Sequence, residues 1–394
     1  MLNRIKNLAS LFLELGPRWS AFRLAYAFRF RTGLIRKQTP QYAWAERPLA
    51  MWLKPTIPTD SDSYVQWRKT NAPKFFAPVA SVGAGSPRHN DYGNTAVEES
   101  NKLLNGELKY FSHEYRKTGF PPAWNHITLS DSAASPKGEG SLPMQSEILR
   151  SQRTLPQNDI NKHWSQISDD STTDIKFIWE PNRFAFVYAL VRAYAITQDE
   201  KYPQAFWQLI QDWAEHNPPN TGANWKDGQE IALRLMAWTF GFYAFVNSPS
   251  TTPEHISQFT QLVAAQAERI HANIGYAIST RSNHTISEAF GLWMVGLLFP
   301  ELKDAEKYLA LGKRLLEEEA KKQIFPDGSY AMYSLNYHRF ILHLYLYAIQ
   351  LGEINHDNPS LRAALLSFAA KQSPNLLTRL LRAEEHRPRN DGIV

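Results

Sequence analysis

Residues 281–293 read RSNHTISEAFGLW. Apolar or small side chains recur at Ile286, Ala289, Phe290 and Trp293, with Val295 beyond, which is the spacing of an amphipathic helix. Ser282 suits the N-cap, because its hydroxyl can accept a bond from an unpaired N–H of the first turn. Capping explains one polar residue at this helix mouth. It leaves Asn283 and His284 unexplained.

The arrangement returns along the chain. Trp179-Glu180, Gly228-Gln229-Glu230 and Asn336-Tyr337-His338 also stand where helical periodicity begins. The steps are 50 residues from Glu180 to Glu230, 53 to Asn283 and 54 to Tyr337. Breakers lie between the periodic stretches: NPPNTG at 217–222, NSPSTTP at 247–253, FPEL at 299–302, FPDGS at 325–329 and NHDNP at 355–359. The pattern predicts helices over 180–197, 200–215, 227–247, 253–276, 283–298, 303–322, 334–351 and 358–370. No alternating strand pattern appears after Asp174, so this part reads as all-α. Each long helix leads by a short turn into another, the αα-hairpin plan, and a repeat of this length means stacked hairpins. Equivalent positions in such a stack lie on one face, so the four polar clusters are expected to converge.

The 394 residues suffice for a large core, and 43% hydrophobic with 13% aromatic content is that of a folded chain. The formal charge of +5 biases it mildly towards anionic partners. Basic residues are scattered rather than striped with aromatics, so no nucleic-acid partner is expected. With no cysteine, thiol chemistry, disulfides and Cys-ligated zinc are excluded. The N-terminal stretch is basic and aromatic, with Arg18, Arg23, Arg29, Arg31, Arg36 and Lys37. It reads as a packed helical hairpin with a solvated basic face; weak contact with a membrane surface is the alternative. No signal peptide or membrane span is read from the sequence. Localisation is therefore unknown: cytoplasmic by default, with periplasmic or cell-surface association as alternatives. Residues 1–80 read as an N-terminal helical extension. Residues 81–160 read as an irregular region with short helices, including SVGAGSPRHNDYGN at 81–94 as a loop and a second irregular stretch from Ser130 to Pro156.

The clusters carry an unusual set of groups. Tyr337, His338 and Arg339 join a phenol, normally protonated with a pKa of about 10, to a near-neutral switch and a permanent cation. A bonded hydroxyl, a capping imidazole and a solvated guanidinium would explain the same trio structurally. Glu230 and Arg234 have the i,i+4 spacing of an ion pair. Asn224 and Trp225, in a Gly-containing loop, suit a substrate rim. Glu180, Asn182 and Arg183 mix acid, amide and base around Pro181. Glu180 and Glu230 would serve a glycoside hydrolase as its paired carboxylates. Each has an Arg close in sequence, however, and an Arg lowers a carboxyl pKa, the wrong direction for a general acid. His338 and His343 are five apart and do not share a helix face. With no HExxH, P-loop, GxGxxG or GxSxG pattern, neither metal nor cofactor is expected.

Amide, imidazole and phenol together suit β-elimination from a uronic-acid sugar. The C5 proton beside a carboxylate resists removal because negative charge accumulates, and donors to the carboxylate relieve it. Asn283 and His284 supply such donors, and the Tyr337 phenol can protonate the departing O4 oxygen.

The runs DIKFIWEPNRF, NPPNTGANWKDGQEIALRLMAW, RSNHTISEAFGLW and FPDGSYAMYSLNYHRF, in this order, resemble the heparinase II/III family of polysaccharide lyases. WNHITL at 124–129 resembles the family's entry segment. The resemblance covers residues 105 to 394. It implies an (α/α) toroid, here incomplete and spanning 161–390, with an antiparallel β-sandwich domain after it and the active site in the cleft between them. The NDG at 390–392 resembles the segment leading into that domain, and nothing here resembles the domain itself. Carried over, Asn283 and His284 neutralise the uronate carboxylate and Tyr337 is the catalytic acid, the base being either Tyr337 again or a His or Tyr of the β-sandwich domain. Glu180, Asn182, Arg183, Asn224, Trp225, Glu230, Arg234, His338 and Arg339 are expected to bind an anionic polysaccharide. A non-catalytic glycan-binding fragment is the third reading.

Overall fold

The structure, a computed structural model, describes residues 16–76, 87–125, 160–168, 174–325 and 327–356. The helix expected at 358–370 and the irregular stretch at 130–156 lie outside these residues. The N-terminal part holds α1 (Pro17–Arg31), α2 (Leu34–Gln38), α3 (Ser61–Asn71), α4 (Pro87–Leu104) and a hairpin of β1 (Glu107–Tyr110) and β2 (Glu114–Lys117). Then follow α5 (Lys176–Asn182), α6 (Val187–Thr197), α7 (Lys201–His216), α8 (Gly228–Phe245), α9 (Pro253–Thr280), α10 (Asn283–Leu298), α11 (Ala305–Gln323) and α12 (Leu335–Ile354).

Burial sorts these helices. Nearly every residue of α10 is buried, and α8 is nearly as enclosed. In contrast, α7 and α11 bury one stripe and solvate the other. The enclosed helices are the inner ones: α6 packs on α8, α8 on α10 and α10 on α12. Since α7, α9 and α11 return the chain between them, the four inner helices run parallel. Their N-termini gather at one end and concentrate positive partial charge there. Asp227, Ser282 and Ser334 cap three of them through side-chain oxygens.

Two glycines set how closely the third hairpin closes. A Cβ on Gly296 would lie 2.4 Å from the Leu309 nitrogen, and one on Gly312 would lie 2.5 Å from the Ala289 oxygen. The backbones of α10 and α11 are therefore in direct contact.

The N-terminal extension shares the core rather than standing apart. Trp52, Leu53, Tyr64 and Val65 belong to the same apolar cluster as the inner helices. Arg68 of α3 is buried against Glu301, donates to the Leu298 carbonyl (3.1 Å) and lies over the Phe299 ring. The Tyr64 hydroxyl donates to the same carboxylate at 2.7 Å.

Two expectations need correction. The stretch 81–94 was expected to be a loop, but helix α4 begins at Pro87. Proline suits a first helical turn, and Ala96, Ser100 and Leu103 then bury one stripe, with α4 packed on α6. The single helix expected over 180–197 is two, α5 and α6, parted at Phe184. That residue takes a left-handed φ of 57° while its buried ring stacks on Trp124 at 5.0 Å and meets Trp238 edge-on. Long-range ring packing overrides local helical periodicity here.

Candidate active site at the helix mouths

The first three clusters do meet. Arg183, at the end of α5, donates to Glu180 (2.7 Å) and grips Glu230 of α8 through two nitrogens, at 2.5 and 2.8 Å. Glu180 also accepts the backbone N–H of Phe111, at the tip of the β-hairpin, at 2.9 Å. From α8 the network passes to α10: Asn283 donates its amide to the Gln229 side-chain oxygen, which also accepts the Ser287 hydroxyl. His284 Nδ1 lies 3.5 Å from the Asp227 carboxylate.

Asp227 has two tasks. Its Oδ1 accepts the N–H groups of Gln229 and Glu230 at 2.8 and 3.3 Å, so it caps α8, and the same carboxylate faces His284. Burial works to raise the Asp227 pKa, but His284 and those N–H groups outweigh it and hold the carboxyl below its ordinary value. Burial alone would lower His284; Asp227, with Glu230 further off, outweighs it and raises the imidazole. Nδ1 is thus occupied, and Nε2–H is the donor left for a ligand.

His284, Asp227 and Gly228 line a cavity of about 390 Å³ whose other walls include Trp164, Trp179 and Tyr276. Glu288, one turn after His284, is 5% exposed and lines it too. Burial, reinforced by Asp227, raises its carboxyl well above the ordinary range, while Arg269 pulls the other way. Asp227, His284 and Glu288 place one donor atom each within 4.8 Å of one another. Within this cluster His284 is paired to Asp227, and burial favours the uncharged form of Glu288.

The fourth cluster connects indirectly. Gln323 donates to the Ser282 carbonyl (3.1 Å) and accepts from the Tyr330 hydroxyl (2.8 Å), and the Tyr330 ring stacks over His338. Tyr337 is 43% exposed, and Arg339 is exposed beside Asn336. Neither Asn283, which is buried, nor Tyr337 lines the cavity at His284.

Several expected substrate contacts are instead structural. Asn224 and Trp225 do not form a rim: both are buried, with the Asn224 amide donating to Asn217 and Asn125 and the Trp225 indole to the Asn217 carbonyl. Asn182 is buried, bonding the Trp124 carbonyl and the Trp213 indole. The expected Glu230–Arg234 pair is replaced by Glu230–Arg183. Arg234 is fully buried, donates to Gln266 (2.7 Å) and to the Asn224 carbonyl (3.0 Å), and burial lowers its pKa to about 9. Burial also raises Glu180 in spite of Arg183, against the direction expected from its neighbour. Sequence reasoning missed Asp227 and Glu288. Glu288 was within reach, since it stands at i+4 from His284 on one helix face.

A heparin-sulfate lyase of Bacteroides thetaiotaomicron is 34% identical over 169 residues, 42% of this chain and 23% of that protein. One of Pedobacter heparinus is 31% identical over 175 residues, 43% of this chain and 26% of that protein. The matched stretch thus spans about a quarter of each curated relative. A heparinase III structure superposes with a TM-score of 0.55 at 16% identity, covering 79% of this chain and 44% of that one. The fold is accordingly an (α/α) toroid of stacked hairpins, mostly helical with one small β-hairpin among the described residues. Residues 144–368, more than half of the chain, match the model of the heparinase II/III N-terminus, and the chain belongs to that family.

Proposed function

We propose that this chain is a polysaccharide lyase that cleaves a uronic-acid-containing glycan by β-elimination. The observation that carries the reading is His284 on a cavity wall at the gathered helix N-termini, with Asp227 holding its far nitrogen. The imidazolium Nε2–H neutralises the uronate carboxylate, while Asn283, buried and bonded to Gln229, positions the mouth of α10 behind it. The Tyr337 oxygen, as phenolate, takes the C5 proton; the C4–C5 double bond forms as the C4–O4 bond breaks, and the phenol so formed passes that proton to the departing oxygen. The curated relatives bear the name heparin-sulfate lyase, which makes a glycosaminoglycan the first substrate to try. A hydrolase using Glu180 and Glu230 is disfavoured, because both carboxylates are held on one guanidinium.

The test is ultraviolet absorbance of the unsaturated uronate after incubation with a panel of uronate polysaccharides. Reducing ends released without that chromophore would sink the proposal in favour of hydrolysis.

A pH prediction follows from the Asp227–His284 pair. The folded pKa of His284 is raised, so the charged imidazole is present at low pH and lost as pH rises through that value. Turnover should fall along an alkaline limb lying above about 6.5, the ordinary histidine value. Asp227→Asn should shift the limb towards lower pH. The stabilising effect of the pair has the same sign: complete below the unfolded pKa, lost as pH rises through the folded one. A pH–kcat profile of both proteins checks this, and an unmoved limb would remove His284 from the role.

A further inference from the structure

The His284 cavity has a wall that the reaction does not use. Helix α1 lies across the last turns of α9, anchored by the Trp19 indole on the Ser279 carbonyl (2.7 Å), by Arg23 on the Ser279 hydroxyl (3.3 Å) and by the Tyr26 ring against Tyr276, with centroids 4.8 Å apart. The residues it turns to the cavity are Arg23, Tyr26, Ala27, Phe30 and Arg31, which recur at three- and four-residue steps and so form one stripe. Leu24 and Phe28 lie on another face, exposed.

Charge on this wall is one-sided. Among the described residues neither Arg23 nor Arg31 forms an ion pair with a carboxylate. Lys226 lines the same cavity. The two acidic side chains there cancel little of this: Asp227 is matched by His284, and Glu288 is raised by burial towards its neutral form. The cavity is therefore cationic, with aromatic faces from Tyr26, Phe30 and Tyr276 between the charges. Arg23 and Arg31 are eight residues apart, about 12 Å along a helix axis. That suits anionic groups on separate sugars of one chain rather than two groups on one ring.

We infer that α1 forms an anion subsite of the saccharide cleft, in which Arg23 and Arg31 bind carboxylate or sulfate groups on sugars flanking the one held at His284. Guanidinium is the side chain best matched to both oxyanions, through paired N–H donors. The inference rests on the proposed lyase reading for the placement of the reacting sugar, but not for the binding itself.

The experiment uses the Tyr337→Phe protein, so that binding is read without turnover. Short heparan sulfate oligosaccharides and oligosaccharides of the same backbone without sulfate are titrated by calorimetry. Arg23→Gln/Arg31→Gln is expected to weaken binding about 10- to 100-fold, the usual range for two charge-assisted contacts, and to flatten its salt dependence. Arg31→Gln alone, which touches no packing contact of α1, should give part of that loss. Arg18→Gln, on the same helix but away from the cavity, is the charge control. A loss confined to the sulfated ligand identifies sulfate as the group bound; an equal loss on both identifies carboxylate. Unchanged binding in the double variant, or an equal loss in Arg18→Gln, overturns the inference. If the parent chain yields unsaturated product while the double variant binds normally, only this subsite falls. If the double variant loses binding and no chromophore ever forms, the subsite stands and the lyase reading falls.

Discussion

Replacing Tyr337 by Phe is expected to lower the rate of unsaturated-product formation about 10²- to 10⁴-fold, the range for loss of a general acid, with the fold intact. The two halves of this expectation come from one location. Tyr337 is 43% exposed at the first turn of α12, where its backbone N–H meets Ser334. Among the described residues its hydroxyl holds no hydrogen bond. Removing one oxygen there should change stability by no more than about 0.5 kcal/mol. A loss of rate with an unchanged denaturation midpoint separates a chemical role from a structural one. A variant that turns over like the parent would take Tyr337 out of the mechanism, leaving the His284 side of the site to be tested by its pH profile.

The largest effect on stability is expected at Arg68→Met. Arg68 and Glu301 form a pair shut away from water, with side chains 4% and 0% exposed. Taking away the cation strands a carboxylate in the core, which typically costs about 3–5 kcal/mol, a large share of the roughly 5–15 kcal/mol that holds a domain folded. The Tyr64 hydroxyl would remain as a donor to Glu301 and recover only part of the loss. Adding Glu301→Gln to Arg68→Met should restore much of the stability, because the stranded charge is then gone. Urea denaturation of the two single variants and the double gives the coupling directly. Simple additivity would mean that the pair is hydrated and the extension only loosely attached.

Legibility in the sequence tracked the range of the forces. The starts of α9 and α10 were readable to the residue because they are set locally, by Thr252-Pro253 and by Ser282, although α9 runs four residues past its expected end. The toroid was readable from the 50- to 54-residue recurrence of polar helix mouths, which is the structural period itself. The break at Phe184 was not, because the partners that hold its ring, Trp124 and Trp238, lie about 60 and 54 residues away in sequence. Polar burial hid in the same way. Asn224 looked like a loop residue until Asn217 and Asn125 closed around its amide. Glu230 had two arginines within reach, and spacing favoured Arg234; the fold delivered Arg183 with a bidentate grip instead. Within the proposed site, His284 was legible as an oddity at a helix start, whereas Asp227 was not singled out, because its second task, facing His284, depends on a residue 57 positions away.

The contact of α10 and α11 through Gly296 and Gly312 has a mechanical consequence. Main chain against main chain leaves no side-chain layer to shear, so the two helices move as one strut. His284 stands on that strut and Tyr337 on the next inner helix, which meets α10 through side chains such as Phe290 and Tyr347. In the proposed lyase the His284 side of the site is therefore expected to be the stiffer, and adjustment to sugars of different size is expected to fall to the α12 side.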